Sequence, residues 1–282
     1  MTELAAAAAF EKADQLPDDA RAPLRDLVLA LADSKRVLGL RYSDRMLGSP
    51  TLEAGIAASS MAQDEWGHAR LTYALLGDLG DDPKALEHER DAAEYRCMPP
   101  LDADLDGWNG MTAAALVLDT ALSAQYAALL QSRYTPVHNR VQKLLDEERF
   151  HFQYAAAWAR RIAQVPELRG GFQAELARYL PGALRWLGRD EAPGSRRLVE
   201  EGIVREEPSA LRVRYLAKVG PVLEEAGMAE ALGVIRDGGE WTCTVRSDWS
   251  GWDDAARRAG GSLDEATAAR ARGDLNRALL MD

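Results

Sequence analysis

Two short patterns in this sequence can act together. Glu65-Trp66-Gly67-His68 and Glu148-Arg149-Phe150-His151 each place a carboxylate three residues before an imidazole. On a helix, positions i and i+3 share one face, so each pair converges on one point, as metal ligands must. A single pair arises readily by chance. Two copies, 83 residues apart on separate helices, are far more specific. A third acid, Asp119, lies 29 residues before Glu148 among Leu116, Val117, Leu118, Ala121 and Leu122. That separation puts it level with Glu148 on an antiparallel neighbour, and a buried acid needs a partner or a cation. Glu65, His68, Asp119, Glu148 and His151 are the candidate metal ligands, and the three carboxylates are the candidate catalytic groups. Carboxylate and imidazole donors suit iron, with manganese as the other candidate ion.

The position that completes the symmetry is Lys35, 30 residues before Glu65, and it is not an acid. Asp33 is close, but two residues turn roughly 200° around a helix, so it faces elsewhere. Four carboxylates with two neutral histidines balance two divalent ions. Glu65, Asp119 and Glu148 with Lys35 leave a formal charge of -2, which suits one. Two other arrangements remain open. A buried ammonium beside carboxylates can stand in for a metal, or Lys35 can swing out and leave room for two ions.

Of the other histidines, His88 sits in the charged run Glu87-His88-Glu89-Arg90, and His138 is near a helix start. Both are expected at the surface. Asp64 and Glu147, beside the ligand acids, are expected off the site face, in salt bridges or behind the ligands. Met61, one turn before Glu65, is expected in the core.

These residues need long helices to hold them. Ala, Leu, Arg and Glu dominate the chain, and β-branched residues are sparse. Helices are predicted over 18–47, 51–77, 108–134 and 136–165, with a shorter one over 83–95 in the long link between the second and third. Each long helix is about 25–30 residues, or ~42 Å for 28 residues. Four such helices with one long crossover make an all-α, ferritin-like four-helix bundle. Further helices are expected from Gly170-Gly171 to Gly188 (kinked at Pro181), over 211–226 with a break at Gly220-Pro221, and over 229–235, with a loop over 190–195. The helical domain is expected to cover 1–236 and its core bundle about 18–165. Residues 237–282 read as an appended tail that docks on the bundle or on a partner. It carries Trp241, Trp249 and Trp252 and a final helix capped by Ser262.

The 282 residues are 47% hydrophobic and 28% charged, an ordinary globular balance. With 34 Lys+Arg against 45 Asp+Glu the net charge is -11, which argues against nucleic acid and anionic membranes as partners. No apolar run of about 18 residues suits a membrane span. The start Met1-Thr2-Glu3-Leu4 lacks signal-peptide character. Cys97 and Cys243 are expected as reduced thiols in a cytoplasmic protein.

At these residues the sequence resembles the phenylacetyl-CoA 1,2-epoxidase (ring epoxidase) family of phenylacetic acid catabolic proteins. The resemblance rests on the stretch from Leu31 to Arg41, on Gln63-Asp64-Glu65-Trp66-Gly67-His68-Ala69-Arg70, on Asp146-Glu147-Glu148-Arg149-Phe150-His151, and on Glu200-Glu201-Gly202-Ile203 with Leu211-Arg212. It covers roughly residues 25–230 and leaves the tail without a counterpart. It implies two groups of subunits. Catalytic ones carry a di-iron centre that activates O2 and epoxidises the ring of an aromatic acyl-CoA. Structural ones share the fold, lack ligands and pair with the catalytic ones. Glu65, His68, Asp119, Glu148 and His151 match the catalytic ligand positions, whereas Lys35 stands where the catalytic group has Glu. The short link Gly48-Ser49-Pro50-Thr51-Leu52-Glu53 looks more like the structural group.

The leading expectation is a subunit of an aromatic acyl-CoA oxygenase system with a site altered by Lys35. A homologous epoxidase subunit and a separate reductase are its implied partners, because no ferredoxin cysteine pattern or dinucleotide fingerprint is present. The alternatives are a metal-free scaffold subunit and a stand-alone iron- or manganese-binding protein. A CoA thioester would need a basic groove, for which Arg160-Arg161 and Arg196-Arg197 are weak candidates, and a homo- or hetero-oligomer is expected.

Overall fold

The computed structural model describes residues 8–274. The amino-terminal residues read above and the end of the expected last helix lie outside the described residues. Two long antiparallel helices open the fold. α1 (Asp18–Arg45) begins with Asp18 and Asp19, whose charges suit a helix N-terminus. It is buried on nearly every side from Leu24 to Tyr42, so it is the central rod of the molecule. α2 (Leu52–Asp78) is capped by Thr51, whose hydroxyl accepts from the Ala54 amide at 3.2 Å.

The crossover that follows holds α3 (Pro83–His88) and two 3-10 turns, Ala92–Glu94 and Pro99–Leu101. The predicted helix over 83–95 is thus cut short. Arg90 ends it by turning its guanidinium back onto the Leu86 carbonyl and inward onto Asp33. The third rod of the bundle is built from α4 (Gly107–Ala114), a π-helical turn (Ala115–Asp119) and α5 (Thr120–Leu129), and α6 (Thr135–Ala163) is the fourth. The third rod ends at Leu129 rather than at 134.

Outside the bundle the expectations need more correction. α7 (Pro166–Trp186) starts four residues early, because Pro166 suits the first helical position. Gly170 and Gly171 lie inside it, and a Cβ on Gly171 would come within 3.1 Å of Asn109 on α4. The expected loop over 190–195 runs into α8 (Pro193–Glu200). α9 (Pro208–Glu225) runs unbroken through Gly220-Pro221, held on the core by Val219, Val222 and Leu223. The expected helix over 229–235 is instead a 3-10 turn, Glu230–Leu232, leading into a hairpin of β1 (Val234–Asp237) and β2 (Glu240–Cys243). Gly238 and Gly239 both have positive φ, as this two-residue turn requires. Trp241 then packs directly against Gly220, where no side chain would fit.

The tail docks on the bundle. α10 (Glu265–Arg272) is capped by Asp264 rather than Ser262. Arg36 on α1 donates to the Ala271 carbonyl, and Arg270 pairs with Asp44. His88 is partly exposed, and its ring meets the Arg272 carbonyl at 2.8 Å. Among the described residues no helix is long and apolar enough to cross a membrane.

Both cysteines are free. Burial, reinforced by Asp102, pushes the Cys97 thiol well above its ordinary value. Native protein at pH 8 is therefore expected to leave Cys97 unmodified by a thiol reagent, with labelling only on unfolding. Rapid labelling of Cys97 in folded protein would contradict the packing of the crossover.

Candidate metal centre

The bundle brings the predicted residues to one place. Lys35 comes from α1, Glu65 and His68 from α2, Asp119 from the π turn, and Glu148 and His151 from α6. All six are buried. The π turn inserts an extra residue into the third rod just before Asp119. Such insertions re-aim a side chain and recur at functional sites.

Lys35 is at the centre of the cluster. Its ammonium lies 2.5 Å from Glu148 Oε1, 2.6 Å from Asp119 Oδ1 and 3.0 Å from Glu65 Oε2. His151 Nδ1 is 3.2 Å from Glu65 Oε1 and 3.3 Å from Asp119 Oδ2, while its Nε2 is 3.2 Å from Asp64 Oδ2. His68 is arranged alike, with Nδ1 3.0 Å from Glu148 Oε1 and Nε2 2.8 Å from Glu147 Oε2. Asp64 and Glu147 thus stand behind the two imidazoles. Met61 is in the core, His138 is exposed, and Asp33 faces away onto Arg90 and Tyr73.

Two contributors escaped the sequence reading. The Tyr42 hydroxyl donates to Asp119 Oδ2 at 3.2 Å, and the Ser123 hydroxyl donates to Glu148 Oε2 at 2.7 Å. Both were within reach of helical spacing. Tyr42 is two turns beyond Lys35, and Ser123 is one turn beyond Asp119.

The electrostatics follow from the packing. Burial works against the Lys35 ammonium, yet Asp119, Glu148 and Glu65 hold its pKa well above the ordinary lysine value. Burial also opposes charge on Asp119, but Lys35 and His151 hold its carboxyl well below its usual value. Glu65 differs: burial and the charge of Asp119 push it up to about 7 in spite of Lys35. His151 resists its burial through Asp119, Asp64 and Glu65, and is raised to about 12. His68 is raised too, burial being outweighed by Glu148. Buried Tyr42, beside Asp119, stays a neutral donor. Lys35 and the two imidazoles thus face the three inner carboxylates, with Asp64 and Glu147 behind the rings.

Glu65, Asp119, Glu148 and His151 place ligand atoms within 4.8 Å of one another, a buried set that can hold a metal ion. Two buried atoms, Glu65 Oε2 and His68 Nδ1, lack a well-directed hydrogen bond, although each lies within 3.0 Å of an ion partner. The donors are of the right type, but with Lys35 in place they do not fit a di-metal centre. The ammonium already occupies the point on which the three carboxylates converge, so two ions there would have to share those same carboxylates with it.

Residues 1–240 match the family described as phenylacetic acid catabolic protein. The chain belongs to this family. The match covers the whole bundle, both ExxH pairs and α7 to α9, and it stops within the hairpin. The family's all-α, ferritin-like fold agrees with the architecture described above. No curated protein matches the chain.

Lys35→Glu tests what the ammonium does in this member of the family. The variant is expected to bind more Fe(II) or Mn(II) than the native chain, and to gain thermal stability from the ion. Saturating metal at about 100 times Kd adds ~2.7 kcal/mol. Equal metal occupancy in both proteins would mean that Lys35 does not occupy a ligand position.

Proposed function

We propose that this chain is a structural, metal-free subunit of a phenylacetate-catabolic oxygenase assembly. A homologous subunit bearing the metal would act on the aromatic acyl-CoA, and a separate reductase would supply electrons. One observation carries this reading: the fully buried Lys35 ammonium, 2.5–3.1 Å from Glu148, Asp119 and Glu65. Four helices that would otherwise converge on metal are here tied together by a buried ionic network. Such a network fixes helix register and holds the outer surface of the bundle in one shape.

The basic pairs fit this reading. Arg160 is engaged by Glu225, and Arg197 by Asp19 and Glu201. Arg161 lies over the Trp158 ring, so three of these four arginines are engaged within the chain. A second reading, a subunit with its own metal, is favoured by the clustering of Glu65, Asp119, Glu148 and His151. It requires Lys35 to leave a site in which three carboxylates hold it.

Co-expression with a family member that has an acid at the Lys35 position tests the proposal. A stable complex is expected on size exclusion. Its turnover is expected to survive Glu148→Gln in this chain, although that variant melts at a lower temperature. Absence of any complex, or abolished turnover with the assembly intact, would sink the structural-subunit reading.

A further inference from the structure

Arg257 lies in the tail, beyond the residues that match the family. Among the described residues it is the one non-glycine with a positive φ, 52°. This strained turn sends its side chain into the protein, where it is 8% exposed. Nη1 donates to the Trp186 carbonyl at 2.9 Å and to Gln125 Oε1 at 3.2 Å, and the guanidinium lies 5.1 Å from the Trp186 ring centre. No carboxylate forms an ion pair with it among the described residues. Asp254 is close enough to favour the Arg257 charge but is hydrogen-bonded to Arg189 at 2.7 Å, and Asp26 is held by Arg96 at 2.6 Å. Burial lowers the Arg257 pKa to about 10, so the group is still charged at neutral pH. A buried cation without a counter-ion is costly.

Arg257 borders a cavity of about 250 Å³ between α1, α8 and the tail. Pro23, Leu27 and Leu198 supply apolar wall, and Gly194 and Ser195 from the first turn of α8 line the same space. Ala192 places no side-chain cap on that turn, and the N-terminal end of a helix favours an anion. A guanidinium, a helix N-terminus and apolar walls therefore meet in one small space. Asp26 and Asp254 also line it and disfavour a doubly charged anion.

We propose that this cavity binds a small monocarboxylate with an apolar body. The carboxylate pairs with Arg257 and the first turn of α8, and the body packs against Pro23, Leu27 and Leu198. The volume suits a simple aryl or short-chain acid and is too small for a CoA thioester. The site stands independently of the Lys35 cluster and of the structural-subunit reading.

Phenylacetate, the acid in the family's description, is the probe, titrated calorimetrically into the full chain with inorganic phosphate for comparison. Saturable binding to one site is expected. It should weaken at least about tenfold in Arg257→Gln, which removes the charge and shortens the side chain, and survive better in Arg257→Lys, which keeps the charge. Ser195→Leu narrows the cavity while keeping the Arg257 charge and should abolish binding. Should Arg257→Gln fail to fold, this second variant decides. No saturable binding to the folded chain, tighter binding of phosphate than of phenylacetate, or equal binding in wild type and Ser195→Leu would each overturn the proposal.

Discussion

Lys35→Met is expected to destabilise the protein by ~3–5 kcal/mol, the usual effect of removing one partner from a buried ionic cluster. The melting temperature should fall on the order of 10 °C. Methionine matches the length of the lysine stem, so the loss is not one of volume. Glu65, Asp119 and Glu148, each within 3.1 Å of the ammonium, would be left repelling one another. Adding Glu65→Gln to Lys35→Met should recover part of the loss, because Glu65 is the carboxylate already pushed toward neutrality. Divalent metal should recover part of it as well. Chemical unfolding of the single and double variants, with and without Mn(II), checks both statements. An unchanged midpoint for Lys35→Met would mean that the ammonium does not neutralise these acids.

Asp33→Ala is expected to have an effect of similar size by a different route. Asp33 is completely buried, and its carboxylate receives Arg90, the Tyr73 hydroxyl at 2.5 Å and the Arg96 amide at 2.7 Å. Removing it strands a buried guanidinium, which costs ~3–5 kcal/mol. The damage should be local first, because Arg90 and Arg96 belong to the crossover between the second and third rods. Limited proteolysis should then cut within residues 79–106 before the bundle opens. The double variant Asp33→Ala/Arg90→Met should be more stable than Asp33→Ala alone. Cleavage elsewhere first, or no rescue, would show that this network does not anchor the crossover.

Much of the centre was legible because helices are periodic. The two ExxH pairs, the 29-residue step from Asp119 to Glu148 and the 30-residue step from Lys35 to Glu65 all follow from antiparallel rods of known rise. The same periodicity turned Asp33 away from the site and put Asp64 and Glu147 off its face, where they stand behind the imidazoles. What escaped was set by contacts between elements. Nothing local marks the π turn before Asp119, since its extra residue is accommodated by the packing of neighbouring rods. Gly220-Pro221 reads as a break, yet Trp241 from a distant strand fills the space over Gly220 and the helix continues. The hairpin does carry a signal, Gly238-Gly239 between two short runs, but it coincides with the expected start of the tail. Arg257 looks like any surface arginine in sequence, and only the fold shows that it is buried without a direct ion pair among the described residues.

Metal content of the purified chain tests the central claim most directly. The protein would be reconstituted anaerobically with Fe(II) and separately with Mn(II), desalted and analysed for bound metal, alongside Lys35→Glu. If the Lys35 ammonium holds the cation position, the native chain should retain well under one ion while Lys35→Glu retains at least one. Native protein that keeps one or more ions, and loses them in Glu65→Ala or Glu148→Ala, would contradict the account and make this chain a metal-bearing subunit.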